Sequence, residues 1–175
     1  MNLPSEQDFS KVQRNLRIIA FTIIEFIALI AWRAFVVNDE FLPSVLILAG
    51  GLFIEHVIAF RTLASVEFPL LRLIEISLSE SAIWIIWLAL TGINQFGAFV
   101  FLFVAMFFQH SVERNVFNGQ PIFSDPIKDE VLLFTALEAL SAGLWLKLVF
   151  EGDGLIGAGI LAIGLVVEHF IQAKS

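Results

Sequence analysis

The chain has 175 residues, 58% of them hydrophobic and only 15% charged, with a mean hydropathy of +0.88. These values exclude a water-soluble globular domain, and the length leaves no room for one beside a bundle of membrane helices. The formal charge of −7 says little about partners, because five carboxylates (Glu25, Glu55, Glu80, Glu138, Glu168) fall inside apolar segments and leave 12 acids against 10 bases facing water.

Residues 1–15 are polar and mixed in charge, and no small-residue cleavage site follows the first apolar run, so the first span is expected to be retained. Six apolar segments follow at about 16–37, 43–60, 71–91, 94–113, 130–149 and 155–173, each near the roughly 20 residues a helix needs to cross a bilayer. The longest connection, 114–129, contains Asn118-Gly119, Pro121 and Pro126 and reads as a turn-rich connector or a lid. One side of the bundle would hold Lys11, Arg14, Arg17, Arg61, Arg72, Arg114, Lys128 and Lys174, and the other only Arg33 and Lys147. That bias predicts cytoplasmic N- and C-termini. No basic, aromatic cluster of the kind that binds nucleic acid stands outside the spans.

A pattern [Ser/Thr]-x-x-Glu-x6-Trp occurs three times: Thr22/Glu25/Trp32, Ser77/Glu80/Trp87 and Thr135/Glu138/Trp145. Each is followed by a Glu-His or Gln-His pair: Glu55-His56, Gln109-His110 and Glu168-His169. The steps are 55 and 58 residues between the Glu positions, and 54 and 59 between the His positions. Such periodicity reads as one helical hairpin present three times, over about 16–61, 71–115 and 130–174. The expected fold is an all-α integral membrane protein, a single domain of six transmembrane helices over 1–175 arranged as three hairpins with pseudo-three-fold symmetry.

Glu25 lies eight residues after Arg17 and Glu80 eight after Arg72, while the three His precede Arg61, Arg114 and Lys174 by four or five residues. At about 1.5 Å per residue these groups fall in one layer, roughly two helical turns from the cytoplasmic edge. Gly51, Ala105 and Gly164 stand five residues before each His, where small side chains permit close helix approach. The hydroxyls of Thr22, Ser77 and Thr135 stand three before each Glu on the same face, where they are expected to hydrogen-bond that carboxylate.

Carboxylates and imidazoles crowded into one low-dielectric layer repel or stay neutral unless a cation compensates them. The predicted site is therefore a metal centre with His56, His110, His169, Glu25, Glu80 and Glu138 as ligands. Glu55, Gln109, Glu168, Thr22, Ser77 and Thr135 would be supporting or additional groups, because neighbouring residues on a helix point about 100° apart and one member of each pair is expected to orient the other. Without cysteine, and with only two methionines, the donors suit Zn, Fe or Mn, one or two ions per chain. A proton-binding network and a structural hydrogen-bonded core are the alternatives. Trp32, Trp87 and Trp145, two turns beyond each Glu, read either as an apolar roof over the site or as an outer aromatic belt. Trp84, without counterparts, is expected to face lipid or to pack; Glu75 is expected to pair with Arg72 near the interface, and Arg33 to snorkel to the outer headgroups.

A transporter needs polar groups along its whole path, and the outer halves of these spans offer almost none. A site open only to the cytoplasm favours a membrane metalloenzyme, hydrolase or oxidoreductase, on an apolar or lipid-like substrate. A divalent metal or proton transporter or channel is the alternative, and a bis-His haem protein a third, which leaves the carboxylates unexplained.

Overall fold

In the computed structural model, residues 6–64, 69–121 and 128–174 are described, and within them the ordered elements are six helices: α1 Glu6–Val37, α2 Phe41–Leu63, α3 Leu70–Thr91, α4 Gln95–Phe117, α5 Asp129–Glu151 and α6 Gly154–Gln172. All six are long and apolar enough to span a membrane, the composition of a multi-pass membrane protein.

Local sequence sets the helix ends. Asn94 caps α4, its side-chain oxygen accepting from the Gly97 N–H at 3.1 Å. Asp129 and Glu130 open α5 with negative charge at the positive end of its dipole. Gly152 ends α5 in the left-handed conformation at φ 94°, which costs a residue without a side chain nothing. Two boundaries differ from the hydropathy segments. Helix α1 begins at Glu6 rather than 16, because the polar residues ahead of the apolar stretch continue the same helix. Helix α4 runs to Phe117, so the 114–129 connection shortens; residues 122–127 of the expected lid lie outside the described residues.

Each helix packs on its neighbours in sequence, and α1 also packs on α6, closing a ring. The hairpins α1–α2 and α5–α6 are the most extensively packed pairs. Glycine explains both: a Cβ on Gly51 would fall onto the Ala28 side chain, and one on Gly164 onto Ser141. Outward faces carry Ile23, Ile27, Leu46, Leu78, Leu144 and Ile163, all exposed, as a lipid-facing surface requires. Arg14 donates to the Ala173 carbonyl at 3.0 Å, tying the start of α1 to the end of α6. Arg72 pairs with Glu75 at 2.9 Å.

The interior divides in two. Toward the α1–α2, α3–α4 and α5–α6 turns it is an apolar core built around Leu29, Leu48, Leu102, Leu161 and the four tryptophans Trp32, Trp84, Trp87 and Trp145, all at most 2% exposed. The tryptophans thus form no outer belt. Trp84 faces inward: it packs edge to face on Trp87 at 5.4 Å and its indole N–H donates to Glu80 Oε1 at 3.2 Å, so of its two expected roles it takes packing and not lipid contact. An indole N–H has to find an acceptor when buried, and a carboxylate one turn back is within reach.

Candidate metal centre

The other half of the interior sets a polar centre beside a second apolar cluster of Ile18, Phe21, Ala59, Ile76, Val116 and Phe117. Among the described residues the buried Glu and His side chains are Glu25, Glu55, His56, Glu80, His110, Glu113, Glu138, Glu168 and His169, and every one of them lines a single small cavity of about 20 Å³. Ala59, Phe117 and Gln172 complete its wall at the end where the chain termini lie. Ala59, Glu113 and Gln172 each follow a cavity histidine by three residues, one turn further along the same face.

Each histidine is held by the Ser/Thr-x-x-Glu segment of the next hairpin, not of its own. His56 on α2 meets Ser77 and Glu80 on α3, with Nδ1 3.2 Å from the hydroxyl and Nε2 3.2 Å from Glu80 Oε2. His110 on α4 meets Thr135 and Glu138 on α5 in the same manner, at 2.9 and 3.1 Å. His169 on α6 meets Thr22 and Glu25 on α1, at 2.8 and 3.3 Å. The expectation that each hydroxyl binds the carboxylate three residues on is therefore corrected. Hydroxyl and carboxylate do share a helix face, but both are directed at the two nitrogens of one imidazole on the adjoining helix.

These contacts decide where the imidazole protons sit. The Thr22 hydroxyl donates to the Ile18 carbonyl at 2.8 Å, so its oxygen is left to accept from His169 Nδ1–H. Ser77 likewise donates to the Leu73 carbonyl at 2.7 Å and accepts from His56 Nδ1–H, which also points at the Leu52 carbonyl at 2.7 Å. A neutral imidazole protonated on Nδ1 carries its lone pair on Nε2. At His110 and His169, Nε2 is the nitrogen that faces the carboxylates of the cavity; His56 meets them through both nitrogens, with Nδ1 3.1 Å from Glu55 Oε2 and Nε2 in hydrogen-bond geometry with Glu113 Oε1 at 3.3 Å. Edge-on packing fixes two of the rings further, Phe21 against His169 at 4.6 Å and Phe134 against His110 at 5.0 Å. The third pattern has Ile76 at the corresponding place.

Two carboxylate oxygens in this cavity, Glu25 Oε2 and Glu138 Oε2, are buried and make no hydrogen bond, although each lies close to an imidazole Nε2. They stand off the direction in which a ring N–H would point. Donor pairs sharing one ion at about 2.0–2.1 Å are separated by roughly 2.9 to 3.4 Å, depending on whether the geometry is octahedral or tetrahedral. The observed Nε2–oxygen separations, 3.1 to 3.3 Å, fall in that interval. Two groups of donors, Glu55/His56/Glu80 and Glu25/Glu80/Glu138, are close enough to hold a metal ion.

Sequence reasoning missed Glu113. Its Oε1 lies 3.3 Å from His56 Nε2 and accepts from Gln109 Nε2 at 2.8 Å. Being next to Arg114 it reads as an interfacial residue, yet its position one turn after His110 marks the cavity face. Gln109 does not line the cavity. It donates also to the Ile76 carbonyl at 3.0 Å and accepts from Ser79 at 2.7 Å, which bolts α4 to α3 and orients Glu113. Glu55 and Glu168 reach the cavity beside their neighbouring histidines, with Glu55 Oε2 3.1 Å from His56 Nδ1 and Glu168 Oε1 3.8 Å from His110 Nε2. Both members of the Glu55-His56 and Glu168-His169 pairs line the cavity. Side chains with three rotatable bonds bend around the helix to close an angle of about 100°. No family model, curated protein or solved structure matches the chain.

Proposed function

We propose that this chain is an integral membrane metalloprotein built from a triplicated hairpin with pseudo-three-fold symmetry, and that its His/Glu centre works as a metal-dependent enzyme on an apolar or lipid-like substrate. One observation carries the metal: the Thr22 hydroxyl, which donates to the Ile18 carbonyl, leaves its oxygen to take up His169 Nδ1–H, and His169 Nε2 then stands 3.3 Å from Glu25 Oε2, a buried carboxylate oxygen that makes no hydrogen bond. Two acceptors held that close repel unless a cation lies between them. His56, His110, His169, Glu25, Glu80 and Glu138 are its ligands in this reading, with Glu113, Glu55 and Glu168 available to complete the shell. Thr22, Ser77 and Thr135 set the tautomers, as outer-shell partners of metal-bound histidines do. A Zn, Fe or Mn ion held there would supply Lewis acidity or an activated oxygen. Trp32, Trp87 and Trp145 roof the site.

The enzyme reading over the transporter rests on the closed half of the bundle. Among the described residues no buried ionisable group lies in the tryptophan-rich core, and an ion crossing it would meet apolar side chains broken only by hydroxyls such as that of Ser44. With both termini cytoplasmic, as the basic residues indicate, the cavity opens toward the cytoplasm. Proteoliposomes containing the purified protein, given Zn, Mn or Fe(II), test the assignment. Metal retained by the protein without saturable uptake is expected; saturable flux would make it a transporter, and haem absorbance in the isolated protein would replace both readings.

A further inference from the structure

We infer that the cavity holds two divalent cations at non-equivalent positions, with Glu80 as the carboxylate they share. This rests on the metal reading above and goes beyond it in number, position and the residue that joins the two ions.

Two donor groups occupy the cavity, Glu55/His56/Glu80 and Glu25/Glu80/Glu138, and within each the ligand atoms lie within 4.8 Å of one another. Glu80 is the member common to both. The first position is the one around His56, with Glu80 Oε2 3.2 Å and Glu113 Oε1 3.3 Å from Nε2, the latter pair also in hydrogen-bond geometry, and Glu55 Oε2 3.1 Å from Nδ1. The second lacks an imidazole among its three carboxylates but draws on two. Glu25 Oε2 is 3.3 Å from His169 Nε2 and Glu138 Oε2 is 3.1 Å from His110 Nε2. Those two oxygens are the ones that make no hydrogen bond, on residues 3% and 1% exposed. They belong to two of the three carboxylates of this second position, which the first ion would leave uncompensated.

Charge points the same way. Six carboxylates line the cavity, so one divalent ion would leave four negative charges to be neutralised by protons in a low-dielectric interior, and two ions leave two. The positions differ because Gln109 stands where the other pairs carry Glu, and because Glu113 has Ala59 and Gln172 at the corresponding places. A pair of ions joined by a carboxylate clamps an oxygen of a substrate from both sides, which suits a phosphoryl, carboxyl or oxygen-centred group and not a purely hydrocarbon one.

Full-length protein in detergent, loaded with Mn(II) and passed through a desalting column, answers the question by plasma mass spectrometry and electron paramagnetic resonance. Two Mn per chain with an exchange-coupled spectrum are expected. Glu80→Gln, which keeps the shape and removes the shared charge, should lose the coupling and drop to one Mn per chain or fewer. One Mn per chain with an isolated six-line spectrum in the parent protein overturns the two-ion inference and leaves the metal centre standing. No retained Mn, nor Zn or Fe in parallel loadings, overturns both. Should Glu80→Gln keep two coupled ions, Glu80 is not the bridge; should it fail to fold, the parent spectrum decides alone.

Discussion

Replacing Thr22 by valine tests the tautomer argument at a single atom. The substitution keeps the branched shape and deletes one hydroxyl, which donates to the Ile18 carbonyl at 2.8 Å and accepts from His169 Nδ1 at 2.8 Å. The Ile18 carbonyl sits inside α1, where the backbone hydrogen bond to residue 22 remains to it. His169 Nδ1–H has no such replacement: the residue is 5% exposed, so the N–H is stranded or the proton moves to Nε2, where it blocks the metal face. Stranding a buried donor costs about 1–3 kcal/mol. At 1.4 kcal/mol per decade that is about 5- to 140-fold in metal affinity, which brackets the ~10–100-fold seen when a partner of a metal-bound histidine is removed. Competition with a fluorescent chelator measures it directly. Thr22→Val should weaken binding by about 10–100-fold and Thr22→Ser, which keeps the oxygen, by far less. Binding by the valine variant within twofold of the parent would refute the reasoning. So would a serine variant as weak as the valine one, since the hydroxyl oxygen would then not be what holds the binding.

Stripping the protein with a chelator should lower its unfolding temperature in detergent, and adding metal back at ~100 times its Kd should restore about 2.7 kcal/mol; no change on stripping would mean that the carboxylates are not compensated by an ion. Metal retention should fall as the buffer is acidified, since every ligand must shed its proton to bind, and equilibrium dialysis in mildly acidic and in neutral buffer reads the difference. The helix-packing account separates two adjacent glycines. Gly51→Ala drives a methyl group into Ala28 and should destabilise by about 1–3 kcal/mol, whereas Gly50→Ala meets nothing within 4 Å and should be neutral or gain up to ~1 kcal/mol in thermal unfolding.

The spans and the candidate donors were legible because hydropathy and repetition are properties of single segments. A glutamate such as Glu80 or a histidine such as His110 stands out against apolar neighbours, and counting residues from the basic ends placed them in one layer. What the residues touch was less legible. Thr22 and Glu25 share a helix face in any α-helix, but that both serve His169, 144 or more residues away, depends on α1 packing against α6. Glu113 escaped because Arg114 beside it signals the interface and because its repeat counterparts, Ala59 and Gln172, carry no charge to mark the position. The apolar segment at 16–37 begins ten residues inside α1 for the opposite reason: hydropathy detects where a helix meets lipid and is blind to its polar continuation.

X-ray absorption at the edge of whatever metal accompanies the purified protein tests the central claim most directly. The account predicts a shell of nitrogen and oxygen donors at about 2.0–2.2 Å with the multiple scattering of imidazole and no sulfur, lost together with the metal when His56, His110 and His169 are replaced by alanine. Protein that retains no transition metal after loading, or a shell without imidazole, would contradict it.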